Sequence, residues 1–150
     1  MEQPEAIACV LGFGNRLSMD EIFLSGLDDN IASMTKIKHL TLSACGTSLN
    51  AAKYAEKLMK ALGSFENVFS LDAAEADEDD TYSSLKASEC GLIVMPDSDM
   101  GEGNVEQVAQ AAMNKNVTIM NVASDMKMNS NAIDIDVYSN AGQEKHVTST

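Results

Sequence analysis

The pattern of apolar and polar positions divides the chain into short apolar runs separated by stretches of helical period. Leu40-Thr41-Leu42-Ser43-Ala44 is a near-continuous β-rich run of the kind found in strands buried on both faces. Comparable runs recur at Asn67-Val68-Phe69-Ser70-Leu71, Gly91-Leu92-Ile93-Val94-Met95 and Val117-Thr118-Ile119-Met120-Asn121-Val122. Ile133-Asp134-Ile135-Asp136-Val137-Tyr138 alternates, which predicts a fifth strand at an edge or half exposed. Between the runs, apolar residues fall at helical spacing: Ala51, Ala52, Tyr54, Ala55, Leu58, Met59 and Leu62, closed by Gly63, and again over 105–113. Strands alternating with helices predict an α/β fold: a doubly wound, five-stranded parallel sheet with right-handed crossovers and helices on both faces, a three-layer αβα sandwich.

Ahead of the first strand the pattern is helical. Ile7, Val10 and Leu11 form a stripe after Pro4, which a first helical turn tolerates, and Gly12-Phe13-Gly14 ends it. Ser18-Met19-Asp20-Glu21 matches a capping box and predicts a second amphipathic helix through Ile22, Phe23, Leu27, Ile31 and Met34, the pair packing outside the sheet. Residues 1–35 thus read as a helical leader and 36–150 as the sheet domain.

Composition narrows the picture. With 150 residues and 45% hydrophobic content, the chain has material for one compact core. No apolar run approaches the roughly 20 residues of a membrane span, and the first residues lack the features of a signal peptide, so the expectation is a soluble, cytoplasmic protein without a membrane partner. Cys9, Cys45 and Cys90 have no metal-ligand spacing and read as buried reduced thiols. A net charge of -13, with only ten Lys and Arg, argues against nucleic acid. The acidic stretch 72–80 reads as a solvated loop and the first turn of a short helix through Leu85.

Candidate chemistry begins where the first strand breaks. Gly46 permits a sharp exit, and Thr47 and Ser48 fall where the next helix has its N-cap. First-turn amides and hydroxyls, together with the positive end of the helix dipole, favour an anion, so strand, glycine and hydroxyls outline a phosphate cradle. A plain helix cap accounts for the same residues.

Ala44-Cys45-Gly46-Thr47-Ser48 also resembles the A-C-G-T-S signature of the sugar isomerase (SIS) domains in the isomerase half of glucosamine-6-phosphate synthases, the glutamine:fructose-6-phosphate amidotransferases. Glu2-Gln3-Pro4 resembles that half's E-Q-P opening, Asn140-Ala141-Gly142-Gln143-Glu144 its N-A-G-x-E, and Val147-Thr148-Ser149-Thr150 its V-A-S-T. The resemblance spans nearly the whole chain. It implies the first of two SIS domains, a flavodoxin-like sheet binding fructose-6-phosphate or glucosamine-6-phosphate in amino-sugar biosynthesis. Thr47, Ser48, Ser98 and Ser149 would be the binding hydroxyls, with Gly46 and Ser124 as further candidates. The family's acid, base and lysine lie in the second domain and tail, so no catalytic residue, cofactor or metal is expected here. Another SIS domain or a second copy of the chain is the expected protein partner.

The second phosphate loop departs from this family. Where the family has S-Q-S-G-E-T, the chain has Pro96-Asp97-Ser98-Asp99-Met100-Gly101. Pro96 removes a donor and a hydroxyl, Gly101 removes another hydroxyl, and Asp97 and Asp99 add charge of the wrong sign. At roughly 6 Å in water, two carboxylates facing a phosphate cost about 2 kcal/mol, or roughly thirtyfold in affinity. Three readings follow: a sugar-phosphate-binding SIS domain with a degraded loop, weak in affinity and without catalysis by this chain alone; a regulatory or assembly module that has lost its ligand; and a calcium loop opening at Asp97. The last fails because Val108 stands twelfth, where a bidentate Glu belongs. His39 reads as structural, His146 and Lys145 as a surface pair, and the ten methionines as core filler. No hydrolase triad order, H-E-x-x-H or Walker loop is present.

Overall fold

A computed structural model describes residues 3–12, 15–24, 26–76, 86–96, 102–123 and 131–139. Helix α1 spans Gln3–Val10 and a single turn, α2, spans Ile31–Met34. Five strands follow, β1 (His39–Ala44), β2 (Asn67–Asp72), β3 (Cys90–Met95), β4 (Thr118–Ala123) and β5 (Ile135–Tyr138), with α3 (Ser48–Leu62) after β1 and α4 (Glu102–Asn114) after β3. The sheet has the order β2-β1-β3-β4-β5, and every pairing is parallel. That is the doubly wound α/β architecture read from the pattern.

Residue alternation along the strands sorts the core into two layers. Leu40, Leu42 and Ala44 of β1 pack with Val68, Met95 and the inner face of α3, Leu49 and Ala52. On the opposite face, Cys90, Leu92, Val94 and Ile119 pack with Val105, Val108, Ala109 and Ala112 of α4. The helix after β1 and the helix after β3 therefore cover opposite faces, as right-handed crossovers in opposite directions require. The leader covers the rest of the α3 face, where Leu27 and Met34 pack on Met120, Ile135 and Val137. Gly26, at φ 91°, makes this approach possible, because a Cβ there would run into the carbonyl of Asp136.

Three expectations are corrected. The second leader helix does not form over 18–27. Ser18 Oγ does accept the Glu21 N–H at 2.9 Å, but the turn leads into a small antiparallel hairpin in which Leu17 pairs with Ile22. Helix resumes only at a 3-10 turn over Asp28–Asn30 and at α2. The last strand starts at Ile135, not Ile133, because Asp134 turns its carboxylate to the Ile119 N–H at 2.8 Å. Cys45 and Cys90 are buried, but Cys9 is only half-buried on a helix with no buried residue.

The β2 edge is tied to α3 by one carboxylate. Glu56 Oε2 accepts the Ser70 N–H at 2.9 Å and the Ser70 hydroxyl, while Oε1 takes Lys60 Nζ at 2.6 Å. An edge strand has no second neighbour for its outward amides, and Glu56 satisfies one of them.

Candidate functional site

All five strands point their carboxyl ends the same way, so the exits of β1, β3 and β4 share one edge of the sheet. In open α/β sheets this is the edge where ligands sit. Its central feature is the exit of β1. Gly46 takes φ 55°, a left-handed conformation that costs an ordinary residue roughly 1–2 kcal/mol, and the chain enters the 15-residue α3 two residues later. Gly46 is exposed, Thr47 half-buried and Ser48 buried, a gradient running from solvent into the first turn.

The helix-cap reading of this segment is weakened at Thr47. That residue occupies the N-cap position with helical φ and ψ, and its side chain makes no capping hydrogen bond. The hydroxyl is thus not used to close the helix end, and the positive end of α3 opens on the sheet edge. Ser48 has interactions of its own within the fold and is 1% exposed.

Cys45, between the strand and Gly46, reads from sequence as a buried thiol within the A-C-G-T-S motif, and it is buried. Here it is a junction of three elements. Burial pushes its thiol above the usual range and the nearby Asp72 carboxylate adds to this, while the Ala74 and Ala73 amides and the Asn104 side chain pull the other way. Asn104 thereby brings the first turn of α4 to the β1 exit, and Asp72 brings a negative charge from the end of β2. Asp72 also accepts the Ala74 N–H at 3.0 Å, which holds its carboxylate in place. In sequence it was the first member of an acidic loop, and only strand pairing of Asp72 with Ala44 sets it beside the cradle.

Of the sequence-predicted site residues, Gly46, Thr47 and Ser48 are brought together at this edge. Pro96 directly follows β3 at the same edge, its register neighbour Met95 pairing with Ala44. Ser98, Ser124, Ser149, Asp97, Asp99 and Gly101 lie outside the described residues, as do His146 and the expected short helix through Leu85. His39 sits at the opposite end of β1, its Nδ1 3.0 Å from the Asn67 side-chain amide, in keeping with a structural role. Among the described residues no group of three or more His, Cys, Asp or Glu is placed to hold a metal ion. None of the described helices is long and apolar enough to cross a membrane.

No protein-family model matches the sequence, and no curated protein matches it. Solved structures do. The C-terminal domain of glucosamine-fructose-6-phosphate aminotransferase from Francisella tularensis is similar at 25% identity and a TM-score of 0.73, over 95% of this chain and 38% of that one. The Vibrio vulnificus NanR protein complexed with ManNAc-6P has the same fold at 9% identity and a TM-score of 0.64, over 91% of this chain and 49% of that one. A hypothetical protein aligns at 15% identity and a TM-score of 0.58, over 91% and 65%. The chain spans less than two thirds of the length of each of these proteins.

Proposed function

Because the chain is a SIS domain, we propose that it binds a sugar phosphate at the carboxyl edge of its sheet, as an amino-terminal SIS unit with a packed leader over 1–35. The observation that carries this reading is the β1 exit. There the A-C-G-T-S motif, the left-handed Gly46, an uncommitted Thr47 hydroxyl and the amino end of α3 coincide. The likeness to a domain of a fructose-6-phosphate aminotransferase, and to a protein holding ManNAc-6P, supports a phosphosugar as the ligand. Fructose-6-phosphate and glucosamine-6-phosphate are the first candidates. In this reading Thr47 and Ser48 cradle the phosphate with the first-turn amides, and Ser98, Ser124 and Ser149 complete the shell. In this reading the chain binds and orients the ligand without converting it, since the resemblance puts the family's acid, base and lysine in a second domain and tail.

A second reading, an assembly module that no longer holds a ligand, is favoured by the carboxylates. Asp72 acts on Cys45, next to Gly46, and the sequence adds Asp97 and Asp99 to the loop after β3.

Thermal melts with fructose-6-phosphate, glucosamine-6-phosphate and inorganic phosphate separate the two. The unmodified chain should bind in the millimolar range or more weakly. A chain carrying Pro96→Ser, Asp97→Gln, Asp99→Gly and Gly101→Thr should be stabilised by ligand, since charge removal returns roughly 2 kcal/mol. Each regained hydrogen bond to a charged oxygen adds about 1.5–3 kcal/mol. Thr47→Ala should abolish the gain. A folded, loop-restored chain that shows no ligand-dependent shift would reject the binding reading in favour of the assembly one.

A further inference from the structure

Two exposed apolar surfaces lie on different elements of the molecule and carry opposite charge. The first is the outer face of α3. Tyr54, Leu58 and Leu62 recur four residues apart and so share one stripe, and they are 70%, 49% and 69% exposed. Lys53 and Lys57 stand exposed on the same helix, and its single acid, Glu56, is turned away to Ser70. On a chain of net charge -13, this helix presents a basic, apolar surface.

The second is the 16–23 hairpin. Its Leu17↔Ile22 bridge, the Phe23 N–H donated to Arg16 O at 2.8 Å and the Ser18 turn make it a closed unit. Met19 at its tip is fully exposed, and Ile22 and Phe23 are exposed beside it, with Asp20 and Glu21 between. Arg16 Nη1 anchors the hairpin by donating to Ser139 O at 3.2 Å, just past β5. α3 packs on β1 and β2. Three strand spacings, roughly 14 Å, separate β5 from β1, so the hairpin, tied to the end of β5, and α3, over β1 and β2, lie toward different edges of the sheet.

We propose that the chain self-associates head to tail, the acidic, apolar hairpin of one copy lying on the basic, apolar face of α3 of the next. Charge selects this pairing over the symmetric ones. α3 against α3 would bring Lys53 and Lys57 of two copies together, and hairpin against hairpin would do the same for Asp20 and Glu21. Only the heterologous contact sets Met19 and Ile22 against Leu58 and Tyr54 while pairing Asp20 and Glu21 with Lys53 and Lys57. A heterologous contact closes into a ring or runs on as a chain, and it leaves each surface usable on its own.

That last property makes the test. In sedimentation at high micromolar concentration the unmodified chain should show mass rising with concentration. Leu58→Glu places an acid opposite Asp20 and Glu21, and the pair Met19→Lys, Ile22→Lys places bases opposite Lys53 and Lys57; each should sediment as a 16.0 kDa monomer. Mixed in equal amounts, the two should form a species of twice that mass, because one still offers its hairpin and the other its α3. Tyr54→Glu substitutes for Leu58→Glu if circular dichroism shows that variant unfolded. A monomeric unmodified chain overturns the proposal. So does assembly by either variant alone, the mark of a symmetric interface, or a mixture that stays monomeric.

Discussion

Replacing Glu56 tests how α3, and with it the cradle at its amino end, is held to the sheet. The carboxylate has three partners: Lys60 Nζ at 2.6 Å, the Ser70 N–H at 2.9 Å and the Ser70 hydroxyl. The Lys60 pair is half-exposed, spaced i,i+4 and therefore worth only about 0.3–0.5 kcal/mol. The Ser70 bonds are part-buried and end on an ionised acceptor, where a hydrogen bond contributes about 1.5–3 kcal/mol. Water can rehydrate the freed edge amide, so Glu56→Ala should cost about 2–3 kcal/mol, a fall in Tm of about 5–10 °C for a domain of this size. Glu56→Gln keeps an acceptor for the amide and should cost about half as much. The pH dependence has a definite sign. Lys60, then Ser70, holds the Glu56 carboxyl below its ordinary value of 4.5. A depressed folded value means stabilisation that is complete above the unfolded value and is lost as pH falls through the folded one. The Tm gap between the unmodified chain and Glu56→Gln should thus be full at pH 7 and close below 4.5. Melts at low micromolar protein limit association where the net charge vanishes, near pH 4.3. An unchanged gap at pH 3.5, or a Lys60→Ala variant as damaging as Glu56→Ala, would refute the assignment.

Ser43 Oγ is fully buried and finds no hydrogen-bond partner among the described residues, so Ser43→Ala should leave stability unchanged or raise it by up to about 1 kcal/mol in denaturant titration. Gly26→Ala should cost more than the roughly 1 kcal/mol of an ordinary left-handed glycine, because its Cβ meets the Asp136 carbonyl; hydrogen exchange should show the leader and β5 losing protection before β1. Asp72→Asn removes a charge that raises the Cys45 pKa, so alkylation of Cys45 should quicken at fixed pH and its half-maximal pH should move down, while the reactivity of Cys90, whose pKa is raised by burial and then by Glu89, stays unchanged.

The elements of the sheet domain were legible because each is encoded by its own residues. The near-continuous β-rich run of β1 fits a strand buried on both faces better than a one-faced helix, and the stripe ending at Gly63 fits a helix with one inward face, closed by a glycine at φ 67°. The β1 exit was legible for the same reason: glycine, hydroxyl and helix start are adjacent in the chain. The leader was not. The Ser18 to Glu21 hydrogen bond forms as the capping box predicts, but that bond is common to a helix start and a tight turn. What decides between them is whether the next residues find a surface to bury, and Ile22 and Phe23 stay exposed. The charge at the cradle was hidden too, since Asp72 reaches Cys45 only because β2 pairs with β1 in register. Local sequence determined the core of each strand, the helices after β1 and β3, and the motif at the β1 exit. The strand order, the partner of each edge and the field at the site are sums over residues distant in the chain, and only the tertiary structure decided those.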